Sequence, residues 1–174
     1  MWKRLMRCVG STAICGPACW RVVPTNLVVG MGGRAVMGGG IAKQAAVRYP
    51  VLPGLYGAHL KGNLRRHLYW WRLGGIICLP TKVHWREDSD LELLEDGLRQ
   101  LRTACLVRTL GDIRLPRIGA GLGRLPWAVV EQSVARTLGD LPNVVLVQPA
   151  SERARSRLRN EQPRAIPVVK AMRP

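Results

Sequence analysis

The 174 residues include 47% hydrophobic side chains, enough for one domain with a real core, and carry a formal net charge of +16 that favours a polyanionic partner. Five cysteines without a CxxC pair and only three histidines argue against a disulfide framework and against a zinc site. No apolar run approaches the roughly 18 to 20 residues that span a bilayer, and no signal-peptide core opens the chain, so a cytoplasmic, reduced protein without membrane contact is expected.

The charge is uneven. Residues 1–86 hold 13 Lys and Arg and no acid, residues 87–150 hold 7 against 9, and residues 151–174 hold 7 against 2. A field of that size suits nucleic acid or a polyphosphate ligand. Plain solubility is the alternative, since no RNA-recognition or helix-turn-helix signature accompanies the charge.

Residues 1–18 mix basic and apolar side chains, and Gly16 and Pro17 break any element there. An apolar strand over 19–23 then ends at Pro24, which leaves Thr25 and Asn26 at a strand's C-terminal end, where α/β proteins place ligand contacts. Asn26 suits a ligand contact or an Asx-turn equally. Gly30, Gly32, Gly33, Gly38, Gly39 and Gly40 follow in one loop, and residues 41–49 read as a helix stopped by Pro50. Such a loop brings backbone N–H groups against a ligand, and a helix N-terminus just beyond it adds unpaired donors, a phosphate cradle in outline. It is not a P-loop, because GGGIAKQ lacks the GK[ST] at the helix start, and not a dinucleotide fingerprint, because no acid precedes Glu87 to hold a ribose. A turn that merely closes on itself is the alternative.

The stretch 51–63 reads as loop with at most a short helix. A hairpin follows, with a strand over 67–72, a turn at Gly74 and Gly75 and a strand over 76–79, and Trp70 and Trp71 point to opposite faces of it. Residues 80–89 form a polar loop holding Lys82, His84, Trp85 and Arg86. Ser89 as N-cap with Glu92 three residues on begins a helix whose buried face is Leu91, Leu94, Leu98, Leu101 and Cys105. A strand over 112–118 leads into a second glycine loop, RIGAGLGRLPW, whose Gly119, Gly121 and Gly123 let backbone amides converge. Pro126 suits the first position of a helix with the stripe Trp127, Val130, Val134 and Leu138, and residues 143–147 form a last strand. From Ser151 the chain reads as a mobile basic tail, so the expected division is a domain over 1–150 and a tail over 151–174. The alternation of elements predicts an α/β fold, a three-layer α/β/α sandwich with a mixed central sheet, and the loops after its strands would meet in one cleft fit for a diphosphate.

Three stretches together resemble the macro domain, the ADP-ribose-binding α/β/α module: PTNLVVGMGGRAVMGGGIAKQAAVRYP its first binding loop and helix, LPTKVHWREDSDLELLEDGLRQL its central strand and helix, and LPRIGAGLGRLPWAVV its second, pyrophosphate-wrapping loop. The likeness spans about residues 20–148, in matching order and spacing. It is nearest the branch of the terminal ADP-ribose glycohydrolase and the bacterial antitoxins that strip ADP-ribose from DNA, which includes phage-borne members. The resemblance implies that Asn26, Met37, Gly38, Gly39, Gly40, Ile41 and Ala42 hold the ligand with Gly119, Ala120, Gly121, Leu122, Gly123 and Arg124. It also implies that Lys82 attacks the distal ribose, chemistry that a pocket-desolvated amine can perform through a Schiff base.

Two departures stand out. Protein-directed glycohydrolases carry an aspartate in the second loop where this chain has Gly123, and many macro domains hold adenine with an early aspartate that is missing here. The resemblance therefore implies either an ADP-ribosyl glycohydrolase acting on ADP-ribosylated DNA or protein, or a module that only binds ADP-ribose, while charge alone would fit a basic nucleic-acid binder. A monomer without metal or other cofactor is expected.

Overall fold

A computed structural model describes residues 19–63, 68–108 and 110–147. The tail expected from Ser151, the domain boundary at 150 and residues 1–18 lie outside the described residues. In chain order the elements are β1 (Cys19–Asn26), α1 (Gly40–Arg48), α2 (Leu52–Gly62), β2 (Tyr69–Trp71), β3 (Ile76–Lys82), α3 (Leu91–Val107), β4 (Asp112–Pro116), α4 (Trp127–Leu138) and β5 (Val144–Val147). The strands form one sheet in the order β2-β3-β1-β4-β5. Pairing is parallel from β3 through β1 and β4 to β5, and β2 joins β3 antiparallel.

The three layers follow from alternation along the central strands. Val22, Ile77, Leu79, Ile113 and Leu115 point to one face, where Leu94, Leu98 and Leu101 of α3 and Val130 and Leu138 of α4 cover them. Val23, Ile76 and Cys78 point to the other, under Ala42 and Ala45 of α1 and Leu52, Tyr56 and Leu60 of α2. Burial on both faces is why these strands are apolar without a polar alternation, and each fully buried Leu or Ile contributes about 1.5–3 kcal/mol. Trp70 and Trp71 do part to opposite faces: Trp70 packs edge-on to Trp20 and Trp71 edge-on to Tyr49, with ring centroids 5.1 Å apart in each pair. Both serve as core cover.

Several expected boundaries move. The strand over 19–23 continues through Pro24 to Asn26, and the one over 76–79 continues through Pro80 to Lys82. Arg21 N donates to Gly75 O at 2.9 Å, so odd residues of β1 face β3 and Pro24 turns its donor-less nitrogen towards β4, whose pairing with β1 stops at Arg21. Pro80 likewise faces the β2 side, beyond Cys78, the last residue paired there. Neither proline interrupts a ladder bond.

The stretch 51–63, read as loop with a short helix, is almost entirely the helix α2, with Pro53 in its first turn. The first described strand residue of the hairpin is Tyr69, His67 lying outside the described residues. The N-cap of α3 is Asp90, whose carboxylate accepts from Glu92 N at 2.9 Å and Leu93 N at 3.2 Å, and not Ser89, which is buried. β4 ends at Pro116 rather than 118, β5 begins at Val144 rather than 143, and Pro126 is the N-cap of α4 rather than its first residue.

Gly57 of α2 sits where an added Cβ would overlap Gly33 O and lie 2.8 Å from Ala35 N. The helix thus packs directly on backbone, and Ala35 N donates to Pro53 O at 2.8 Å across the same contact. Gly57→Ala should cost about 1–3 kcal/mol, checked as a lowered urea midpoint with an unchanged slope.

Candidate functional site

Because β1, β3 and β4 run parallel, their C-terminal ends and the loops that follow meet on one edge of the sheet, where open α/β folds bind ligands. β1 ends on Thr25 and Asn26. The Asn26 carbonyl oxygen accepts from Val28 N at 3.0 Å and its amide nitrogen donates to Val36 O at 2.8 Å, so the side chain folds residues 27–36 back on the strand, an Asx-turn at the cleft's rim. Within that fold-back, Gly30 N donates to Arg34 O at 2.8 Å and Val29 bridges Ala35. Gly30, Gly32 and Gly33 therefore build a small turn seated against α2 and away from the cleft. The six-glycine loop divides into two devices, of which Gly38, Gly39 and Gly40 belong to the cleft.

Gly40 holds φ +52°, a left-handed value that starts α1 directly from the loop. Gly39 is the N-cap without a side-chain cap, and no acid occupies the first turn. Gly38 to Ala42 line the cleft, so the amides of that first turn, which a helix cannot satisfy internally, lie at the cleft wall with the positive end of the dipole.

The opposite wall is the second loop. Gly119 holds φ +69°, Leu125 N donates to Gly119 O and Arg124 N to Gly121 O, both at 3.1 Å, which curls residues 119–125 into a compact ring. Gly119, Ala120, Gly121, Leu122 and Gly123 line the cleft with Met37 and Ile41 across from them. Arg124 is not among the lining residues: its guanidinium lies 3.5 Å from the Asp88 carboxylate. Leu122, 69% exposed, reaches across so far that a Cβ on Gly39 would lie 3.1 Å from its Cδ1. Between the walls lies a cleft of about 770 Å³.

Lys82, the last residue of β3, stands at the floor. Its Nζ donates to Glu87 O and to Leu122 O, each at 2.6 Å, joining the β3–α3 connection to the second loop. Two donated bonds leave a third tetrahedral position on the nitrogen for whatever enters the cleft. Ser89 N donates to Gly123 O at 2.8 Å, and Ser89 Oγ donates to Thr81 Oγ1 at 3.3 Å, a second tie between the same segments.

Thr25, placed at a strand end by the sequence, shares the cleft, and sequence reasoning missed several residues that join it: the hydroxyls of Thr81 and Ser89, the apolar Pro24 and Val36, and Trp85 and Arg117. Position at the end of a strand was the available signal for Thr25, Thr81 and Arg117. Lys82 and Arg117 are the charged side chains of the lining, which contains no carboxylate. Beneath Thr25, the Tyr56 hydroxyl meets its Oγ1 at 3.1 Å. Burial first, then Cys78, pushes the phenol well above its ordinary range, so it stays protonated. Burial raises the Cys78 thiol likewise, which removes it as a nucleophile. Among the described residues, no cluster of three or more His, Cys, Asp or Glu is placed to hold a metal, and no helix is long and apolar enough to cross a membrane.

No family model matches the chain. It is 42% identical over 71 residues to the DNA ADP-ribosyl glycohydrolase of Thermus aquaticus, covering 40% of this chain and 19% of that protein. It is 32% identical over 133 residues to the DNA ADP-ribosyl glycohydrolase of Mycobacterium tuberculosis, covering 70% of this chain and 37% of that protein. The chain thus spans well under half the length of these curated relatives. Among solved structures it is similar to the macrodomain of Mycobacterium tuberculosis DarG, with 30% identity and a TM-score of 0.64 over 81% of this chain and 96% of the other.

Proposed function

The chain belongs to the macrodomain family, in the branch of the DarG macrodomains, and from that premise we propose that its cleft binds ADP-ribose and removes it from ADP-ribosylated DNA. The observation that carries this is the charge pattern of the cleft. Two glycine loops and a helix N-terminus face each other, and the charged residues of the lining, Lys82 and Arg117, are both cations, the Arg117 guanidinium lying 4.6 Å from the centroid of the Trp127 ring. A diphosphate finds backbone donors on both walls and no carboxylate to repel it. The names of the relatives, DNA ADP-ribosyl glycohydrolases, agree with that ligand and supply the reaction class.

In this reading Asn26, Met37 to Ala42 and Gly119 to Gly123 enclose the ligand, and the adenine, without an early aspartate, is held by backbone and apolar groups. Lys82 is the nucleophile. Its two backbone carbonyls orient the amine, so that its third position meets the anomeric carbon of the distal ribose once the diphosphate is fixed, and positioning of this kind supplies much of the rate. A second reading, a module that binds ADP-ribose without cleaving it, is favoured by the lack of any acid in the lining to protonate a leaving group. Calorimetric titration with ADP-ribose tests the shared ligand, and an ADP-ribose release assay on ADP-ribosylated oligonucleotide and protein separates the two readings. No heat and no release would overturn both.

The cradle itself has a direct test. Gly39 has φ −137° and ψ 160°, extended backbone open to any residue, so Gly39→Val leaves folding nearly untouched. Its branched side chain would meet Leu122 Cδ1 and fill the gap between the loops. ADP-ribose affinity should fall about tenfold or more while the thermal midpoint moves little. Undiminished affinity would place the diphosphate elsewhere.

A further inference from the structure

Trp85 belongs to neither core cluster, is 46% exposed, and yet lines the cleft three residues beyond Lys82. Its loop is built to hold it out. Glu87 N donates to His84 O at 3.1 Å, His84 N donates to the Glu87 carboxylate at 3.3 Å, Arg86 N donates to His84 Nδ1 at 3.3 Å, and Lys82 Nζ ties Glu87 O from below. The indole at the tip of this closed turn is flanked by the His84 ring, 5.4 Å away between centroids, and carries the Arg86 guanidinium 4.5 Å from its own centroid. A half-exposed aromatic in a closed turn, with a cation stacked on it beside a phosphate-binding cleft, suits a nucleobase with its flanking phosphates.

We propose that Trp85, backed by Arg86, is the stacking platform for the acceptor base of ADP-ribosylated single-stranded nucleic acid, and so determines that the acceptor is a base and not a protein side chain. The proposal rests on the ADP-ribose reading of the cleft. With the distal ribose at Lys82, Trp85, three residues further on in the same lining, is the aromatic side chain that the group bonded to the anomeric carbon can meet. Acids do lie in the same turn, but the Glu87 carboxylate accepts from His84 N and Asp88 lies 3.5 Å from Arg124, which leaves Arg86 on the ring as the charge a neighbouring phosphate would meet.

The experiment uses the Lys82→Ala protein, so that turnover does not consume the substrate, with Trp85→Ala and Trp85→Phe added to it. Calorimetry gives dissociation constants for ADP-ribose, for a single-stranded oligonucleotide ADP-ribosylated on a base, and for an ADP-ribosylated peptide. The expected result is that Trp85→Ala weakens the oligonucleotide by about tenfold or more, that Phe restores most of that loss, and that ADP-ribose and peptide affinities stay within about twofold. An equal loss for all three ligands, or a peptide as sensitive as the oligonucleotide, overturns the platform. Oligonucleotide binding with no dependence on Trp85, while ADP-ribose still binds, overturns the platform alone, whereas failure of ADP-ribose to bind the Lys82→Ala and wild-type proteins overturns the cleft reading and this proposal with it.

Discussion

Lys82→Ala should lower release of ADP-ribose from an ADP-ribosylated single-stranded oligonucleotide by about 10³-fold or more, while ADP-ribose itself binds within about threefold of the wild type. The asymmetry follows from where the amine sits. Its Nζ is bonded to backbone carbonyls of two segments, Glu87 O and Leu122 O, and lies at the floor, whereas the donors that face a diphosphate are backbone groups of residues 38–42 and 119–123. On the proposed reading, removing the side chain takes away the nucleophile and leaves the cradle. In the proposed reaction, as the Nζ–C1 bond forms, the C1 bond to the acceptor breaks and the departing base takes up the proton that the amine sheds. Opening of the ribose then gives a Schiff base, which water hydrolyses to ADP-ribose and the free amine. Borohydride should therefore trap an adduct on the wild type that the variant lacks. Lys82→Arg, which keeps the charge without a usable lone pair, should bind and neither release nor trap. Release by Lys82→Ala at the wild-type rate would remove the amine from the chemistry and leave the lining hydroxyls to explain it.

How much of this was legible in the sequence depends on what each signal reports. The helical stripes of α3 and α4 were legible because burial of Leu94, Leu98 and Leu101, and of Val130, Val134 and Leu138, repeats at the helical period. The two prolines misled for a reason that only pairing discloses. Pro24 and Pro80 lack a donor, but each turns its nitrogen to a side where pairing among the described residues has already stopped, so both strands run on and carry Asn26 and Lys82 to their tips. Ser89 looked like a cap because serine three residues before glutamate is a capping pattern; Asp90 beside it competes for the same amides and wins, which frees Ser89 to be buried against Thr81 and Gly123. Six glycines in eleven residues looked like one cradle, since sequence reports permissive backbone and not which way the chain turns after Asn26. Met37 to Ala42 and Gly119 to Gly123 do line one cleft. Arg124 is not among the lining residues, and its φ of +58°, a left-handed value for an arginine, has no mark in the sequence.

Gly123→Asp is the substitution that the family pattern invites and the packing forbids. Protein-directed glycohydrolases carry an aspartate at this point of the second loop, so the change would nominally supply the missing acid beside Lys82. In this chain a Cβ at residue 123 would overlap both Ser89 Oγ and Gly119 O, with Gly119 C at 2.8 Å. The serine could rotate, but the carbonyl is backbone of the same ring, itself fixed by Leu125 N donating to Gly119 O and by Ser89 N donating to Gly123 O. The ring must open to admit any side chain, and opening it moves Leu122 O away from Lys82 Nζ. The expected result is a stability loss of about 2–3 kcal/mol, seen as a lowered urea midpoint, together with weakened ADP-ribose binding and no gain in release. Ser89→Gly combined with Gly123→Asp should recover little, because the overlap with Gly119 O remains. Enhanced release by Gly123→Asp at full stability would show that the loop can accept an acid, and that its absence, rather than the ring's geometry, limits the reaction.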